Sequence, residues 1–170
     1  MVYELDEEKF KYFIDIEDIA GVRSHISEKV VMTNGCFDLL HSGHIHSLKE
    51  ARKLGNCLIV VLNSDSSVKR LKGPKRPIFN EIERSTMLTA ISFVDFVVLC
   101  NDDNMCNALQ QIKPDVWVKG SDRTLETLNQ DERRIAEENG IEIKFIPNKQ
   151  GVSTTNTIDR IISCYSDGGL

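Results

Sequence analysis

Short runs of aliphatic and β-branched residues alternate along this chain with longer stretches whose apolar residues recur every three or four positions. The short runs fall at 30–33, 58–63, 96–99, 116–119 and 141–146, and each reads as a strand. The longer stretches cover about 43–54, 81–91, 104–112, 130–139 and 155–164, and each reads as a helix with one apolar face. Strand and helix take turns, and the strand runs are mostly apolar throughout. That combination predicts a parallel sheet covered on both faces. Gly55 and Gly140 stand at helix ends, where a left-handed turn is needed. Before residue 28, the apolar positions Phe10, Phe13, Ile14 and Ile19 read as one or two short helices. The chain thus divides into an N-terminal helical extension, 1–28, and a main domain, 29–170.

Composition narrows the function classes. The 170 residues fit one domain with a proper core. Hydrophobic residues make up 41% and charged residues 28%, ordinary values for a globular protein. The net charge of −5 gives a nucleic-acid partner no electrostatic support, so an anionic substrate needs a local basic site. No apolar run approaches the length of a membrane span, and the acidic N-terminus does not suit a secretory signal, which makes the cytoplasm the expected location. The five cysteines are odd in number and contain no C-x-x-C pair, so neither a disulfide framework nor a zinc site is expected.

The chemistry concentrates at the ends of the strand runs. Directly after the first lies Thr33-Asn34-Gly35-Cys36-Phe37-Asp38-Leu39-Leu40-His41-Ser42-Gly43-His44. Two histidines three residues apart, with a glycine between them, sit where a strand gives way to a helix. Free backbone N–H groups and a positive helix end suit a polyphosphate there, and two imidazoles can donate to its oxygens as charge builds up. Asp65 follows the second strand run, Gly120 to Asp122 follow the fourth, and Gly151-Val152-Ser153-Thr154-Thr155 follow the fifth after a short loop. In an open parallel sheet, ligands bind past the carboxyl ends of the strands near the switch point. Four motifs distant in sequence therefore converge on one edge.

These motifs resemble those of the nucleotidyltransferases that join a nucleoside triphosphate to a phosphorylated alcohol, sugar or cofactor precursor and release pyrophosphate. The family includes glycerol-3-phosphate cytidylyltransferase and the adenylyltransferase domain of the ADP-heptose synthesis enzyme. The first motif is similar to the heptose-phosphate version, as is Asn63-Ser64-Asp65-Ser66-Ser67-Val68-Lys69-Arg70-Leu71-Lys72-Gly73-Pro74 followed by Arg76-Pro77-Ile78. Val118-Lys119-Gly120-Ser121-Asp122 resembles the third motif and residues 151–155 the last. The resemblance covers roughly 29–163. It implies an α/β, Rossmann-like parallel five-stranded sheet with helices on both faces, in a single nucleotidyltransferase domain. It further implies a homodimer and Mg²⁺ bound mainly through the triphosphate. The implied reaction is transfer of AMP from ATP to a sugar phosphate, D-glycero-β-D-manno-heptose 1-phosphate, giving ADP-heptose for a bacterial surface polysaccharide. One departure stands out: where cytidylyltransferases carry Arg-Thr-Glu before the last motif, this chain has Asn148-Lys149-Gln150, with Lys149 able to supply the charge.

Carried onto this sequence, the catalytic candidates are His41, His44 and Lys72, with His44 favoured for transition-state stabilisation. The nucleotide-binding candidates are Thr33, Asn34, Gly35, Cys36, Phe37, Gly43, Lys75, Gly120, Asp122, Ser153, Thr154 and Thr155. Gly35 and Gly43 allow close backbone approach to phosphate. Asp38 and Asp65 are candidates for substrate hydroxyls. Asp38 could instead orient a histidine, order a metal or cap a helix, and Asp65 and Asp122 could simply make turns. Residues 69–77, the densest basic run, read as a loop that neutralises phosphates and closes as a lid. Ser153, Thr154 and Thr155 could hold β- and γ-phosphates, cap a helix, or both. Cys36 and Trp117 read as packing residues, and His46 as solvent-facing or packing. The rival activity is a cytidylyltransferase acting on a polyol phosphate such as glycerol 3-phosphate. A nucleotide-binding module without catalysis and a subunit docking on a kinase are the other readings. Backbone groups can read adenine or cytosine, so spacing does not choose the base.

Overall fold

The computed structural model describes residues 12–121, 123–147 and 149–166. In chain order the elements are β1 (Tyr12–Asp15), α1 (Ile19–Arg23), β2 (Val30–Gly35), α2 (Ser42–Arg52), β3 (Cys57–Asn63), α3 (Asp65–Lys72) and α4 (Glu81–Thr89). They continue with β4 (Phe96–Cys100), α5 (Cys106–Ile112), β5 (Val116–Gly120), α6 (Gln130–Glu138), β6 (Glu142–Ile146) and α7 (Thr154–Tyr165). The strands form one sheet in the order β1-β4-β3-β2-β5-β6, every pairing parallel.

All seven residues of β3 are buried, because successive side chains of this central strand enter opposite layers. Ile59 and Val61 join Met32, Val98 and Trp117 beneath Leu109 and Ile112 of α5 and Ile135 of α6. Leu58, Val60 and Leu62 join Val31, Val97 and Val118 beneath Leu48 of α2 and Leu88 of α4. A fully buried residue of this kind contributes roughly 1.5–3 kcal/mol, so each face holds its helices by several such contacts. The two layers explain why the strand runs are apolar throughout.

Among the described residues the sheet has six strands, not five. The N-terminal stretch expected to be helical supplies edge strand β1, whose residues pair with β4 from Tyr12↔Phe96 to Asp15↔Leu99. Ile14, Ile16 and Ile19 are buried in the core, so the part of this stretch from residue 12 is integral to the domain. Only the five-residue α1 is helical there. The spacing of Phe13, Ile14 and Ile19 mimics a helical face, and only pairing with β4 resolves it.

Two further expectations change. Gly140 does take a left-handed φ of 66°. Gly55 does not need one; a Cβ there would lie 2.6 Å from the Lys29 carbonyl oxygen, so close chain approach requires the glycine. The basic run 69–77 is helical through Lys72. Ser64 caps α3 by accepting from Ser67 N–H at 3.2 Å, and Lys69, Arg70 and Lys72 complement the helix dipole in its last turn. Gly73, at φ 95°, ends it. Arg70 donates to Asp103 at 2.9 and 3.0 Å and to the Asn101 carbonyl, which ties α3 to the loop after β4. The front half of the run is thus a helix tied to the loop after β4, where a loop was expected.

Position follows from connectivity. From β2 the chain builds outward through β3 to β4, then returns to lay β5 on the other side of β2. The carboxyl ends of β2 and β5 flank that reversal, where an open sheet leaves a crevice.

Candidate active site

A cleft of about 750 Å³ opens at this reversal. One wall is the stretch after β2, where Phe37 and Leu39 hold left-handed φ values of 47° and 52°. Such angles cost energy for non-glycine residues and persist only when surroundings impose them. Here they are imposed. Arg84, fully buried on α4, donates to the carbonyls of Cys36 (2.6 Å), Asn63 (2.8 Å) and Phe79 (3.0 Å) and to the Asp65 carboxylate (2.7 Å). One guanidinium therefore joins the ends of β2 and β3 to the starts of α3 and α4.

The two histidines form the start of α2. His41 is its N-cap; its Nδ1 accepts from Gly43 N–H at 3.1 Å and His44 N–H at 3.3 Å. His44 Nδ1 reaches back to His41 N–H at 3.4 Å, a reciprocal capping box. The rings stack with centroids 3.7 Å apart and planes 14° apart. Because both Nδ1 atoms accept, the proton of each neutral imidazole is assigned to Nε2, which makes Nε2–H the outward donor. Burial pushes the His44 pKa down to about 4, reinforced by His41, and burial lowers His41 as well. Gly43 is required by the cap: a Cβ would stand 2.9 Å from the His41 ring. The Gly35 Cβ would meet Phe37 at 3.2 Å. Ring packing, rather than only phosphate approach, needs these glycines.

The Asp38 carboxylate is engaged within the protein itself. Its side chain is 0% exposed, and its oxygens accept from Ile78 N–H (3.0 and 2.9 Å), Phe79 N–H (3.1 Å) and Arg76 Nε. Burial alone would raise its pKa, but these donors outweigh burial and hold it below the usual carboxylate range. Asp38 thus fastens the 76–79 segment under the cleft. Its backbone carbonyl also accepts from Thr154 Oγ1 at 2.7 Å, which ties the start of α7 to the same stretch. Asp65 lies at the first position of α3 in its ion pair with Arg84 and is not in the cleft wall.

The remaining candidates divide. Residues 33–37, Gly43, Lys72, Gly120, Ser153, Thr154 and Thr155 line the cleft together with both histidines. Lys75 is exposed and does not. Asp122 lies outside the described residues. Ser153 caps α7 by accepting from Asn156 N–H at 3.0 Å, so with the Thr154 hydroxyl engaged, the hydroxyl of Thr155 and the N–H groups of Thr154 and Thr155 remain to meet a ligand. Burial raises the Cys36 thiol above its ordinary pKa, which disfavours the nucleophilic thiolate. Trp117 is buried in the core, and its indole N–H donates to Asn34 Oδ1 at 3.2 Å.

The wall also holds residues that sequence reading did not assign: Arg76, Lys119, Arg123, Asn129, Glu132 and Lys149. Arg76 stood inside a quoted motif, while Glu132 falls on an ordinary charged helical stretch with no local signal. Lys149, previously weighed only as a replacement charge, donates to Ser42 Oγ at 3.3 Å beside the histidines. Among described residues the wall carries five lysines and arginines (72, 76, 119, 123, 149) against three carboxylates (38, 103, 132). An acidic chain has gathered local positive charge where two helix N-termini, those of α2 and α7, meet the cleft. This arrangement can hold a polyphosphate and donate to its oxygens.

The cytidylyltransferase-like family model matches residues 32–160. Bifunctional protein HldE of Syntrophotalea carbinolica is 41% identical over 162 residues, 95% of this chain and 33% of that protein. The Campylobacter concisus protein of the same name is 43% identical over 162 residues, 95% of this chain and 32% of that protein. The chain thus spans about a third of the length of the curated relatives it matches. Among solved structures, the lipopolysaccharide core biosynthesis protein from Thermoplasma volcanium is 35% identical with a TM-score of 0.59, covering 72% of this chain and 98% of that one. A pantothenate synthetase from Thermus thermophilus shares the fold at 14% identity and TM-score 0.59, covering 85% and 67%. With the family model matched from β2 into α7, across every element that builds the cleft, the chain belongs to the cytidylyltransferase-like family.

Proposed function

We propose that this chain is an adenylyltransferase that moves AMP from ATP to D-glycero-β-D-manno-heptose 1-phosphate, forming ADP-heptose and pyrophosphate. The observation that carries the chemistry is the stacked histidine pair, with both Nε2–H donors available at a helix start. The acceptor choice is supported by the heptose-type motifs and by the HldE relatives at about 40% identity. The family's description keeps CTP in play as the donor, and the alternative reading pairs it with a polyol phosphate.

In the proposed reaction an oxygen of the acceptor phosphate attacks the α-phosphorus, the bond to the bridging oxygen breaks, and pyrophosphate leaves. No protein nucleophile is needed. His41 and His44 donate to oxygens on which charge grows, and they do so as neutral donors held in one tautomer by the cap. Lys72 and Arg76 counter the repulsion between the two anionic reactants, while the N–H groups at the start of α7, with Thr155, hold the outer phosphates. Among described residues no group of three His, Cys, Asp or Glu is placed to hold a metal. Mg²⁺ carried by the triphosphate would neutralise the departing pyrophosphate. Asn34 and Gly120 line the nucleotide's path in this reading. The enzyme works in the cytoplasm as a homodimer; no described helix is long and apolar enough to cross a membrane.

Pyrophosphate release tests the proposal, with ATP and CTP each offered heptose 1-phosphate and glycerol 3-phosphate, and His44→Ala as control. Release confined to ATP with heptose 1-phosphate, and lost in the variant, is expected. Release confined to CTP with glycerol 3-phosphate replaces the substrate assignment, and binding without release by any pair makes the chain a nucleotide-binding module.

A further inference from the structure

One stretch of the cleft wall is unused by the transfer step. Glu132 on α6 and Lys119 on β5 expose only 7% and 15% of their side chains, yet both face the cleft. Glu132 Oε1 accepts from Met105 N–H at 2.7 Å, and Oε2 lies 3.8 Å from Lys119 Nζ. Lys119 Nζ donates to Asn34 Oδ1 at 3.3 Å and stands 4.5 Å above the Trp117 ring. The 3.8 Å between Oε2 and Nζ exceeds a hydrogen-bond length and leaves both atoms within reach of one ligand in the cleft. A hydroxyl could therefore donate to Oε2 while its neighbour accepts from Nζ. The pair is also net neutral and contains a carboxylate, so it suits the uncharged part of a ligand rather than another phosphate.

We propose that Glu132, Lys119 and Asn34 form a subsite for the vicinal hydroxyls of a sugar ring, and that it selects hydroxyl-rich ligands over poor ones. The inference rests on the transfer reading for the placement of the phosphates. Two sugars could supply this chemistry, the acceptor's ring and the nucleotide's ribose, and the experiment separates them.

The variant is Glu132→Gln, which keeps the volume and an oxygen for Met105 N–H while removing the charge. Wild type and variant are compared for KM and kcat with ATP against 2′-deoxyATP and with heptose 1-phosphate against an analogue of it lacking one ring hydroxyl; thermal melting checks the fold. In the variant, KM for the hydroxyl-rich member of one pair rises about tenfold, the scale of a lost charged hydrogen bond. That rise exceeds any fall in kcat, and KM for the hydroxyl-poor member stays put. A rise for ATP assigns the subsite to ribose; a rise for heptose 1-phosphate assigns it to the acceptor. Unchanged KM values throughout, or equal rises for rich and poor ligands, overturn the proposal. Should wild type release no pyrophosphate with any pair, the transfer reading fails instead. The subsite is then judged by calorimetric binding of ATP, 2′-deoxyATP and heptose 1-phosphate to both proteins, and lack of discrimination in wild type overturns it.

Discussion

Replacing Asp38 by Asn separates two roles for a residue that sequence alone left open. The carboxylate is 0% exposed and takes two backbone N–H groups and the Arg76 guanidinium. Asn is nearly isosteric, but it presents one oxygen instead of two and turns an NH₂ toward groups that donate. Arg76, 17% exposed, loses its ion pair. Breaking a buried pair from one side costs about 3–5 kcal/mol, and the solvent that reaches Arg76 moves the expectation toward the lower end, about 3 kcal/mol. Urea unfolding at pH 7 reads this as a lower midpoint at an unchanged slope. The cost must also depend on pH. The folded carboxyl titrates below its unfolded value, so its contribution is complete above the unfolded pKa and is lost as pH falls through the folded one. The gap between wild type and variant should hold from neutrality to about pH 5 and then close on acidification. A loss under about 1 kcal/mol, together with a raised KM for the acceptor, would refute the structural role and restore Asp38 as a substrate ligand.

Four further outcomes follow from the geometry. His44→Ala should lower kcat by about 10²–10³-fold, the usual cost of one transition-state donor, with a smaller change in KM for ATP, checked by steady-state kinetics. Because burial lowers the pKa of His44 to about 4, the folded protein resists charging it. Wild-type stability should therefore fall as pH drops from about 6.5 toward 4, and urea midpoints for His44→Ala should show less of that slope. Gly43→Ala should displace the His41 ring, with a loss of about 1 kcal/mol from the disturbed cap and a disproportionate loss of kcat; equal activity would mean that the ring can shift without consequence. Arg84→Met should destabilise by about 3–5 kcal/mol, since it strands the Asp65 carboxylate and three carbonyls, and a midpoint near that of wild type would contradict the hub assigned to Arg84.

Local pattern was enough for most of the scaffold. Strands β2 to β6 and helices α2, α4, α5, α6 and α7 lie within a few residues of the apolar runs that announce them, because a strand buried on both faces must be apolar throughout and a covering helix must be apolar on one side. The same logic located the histidine motif, Gly120 and the 153–155 run at one edge of the sheet. Edge strand β1 was hidden, since a four-residue strand carries little periodicity and its partner β4 lies more than eighty residues away. Helix α3 was hidden by its charges: the lysines and arginine that suggest a loop are placed in its last turn, where the helix dipole favours them.

What the sequence by itself determined is the class of the fold, its parallel order and the edge at which chemistry collects, all consequences of short-range spacing and strand-end position. Tertiary structure alone decided what each polar side chain is bonded to. It showed that Asp38 and Asp65 are held by arginines on other elements, that His41 is at once a candidate donor and a helix cap, and that Glu132 and Lys119 face the cleft together. The physical reason is that a carboxylate or imidazole has several possible partners of equal strength, and only the packing of distant elements determines which one stands within hydrogen-bond reach.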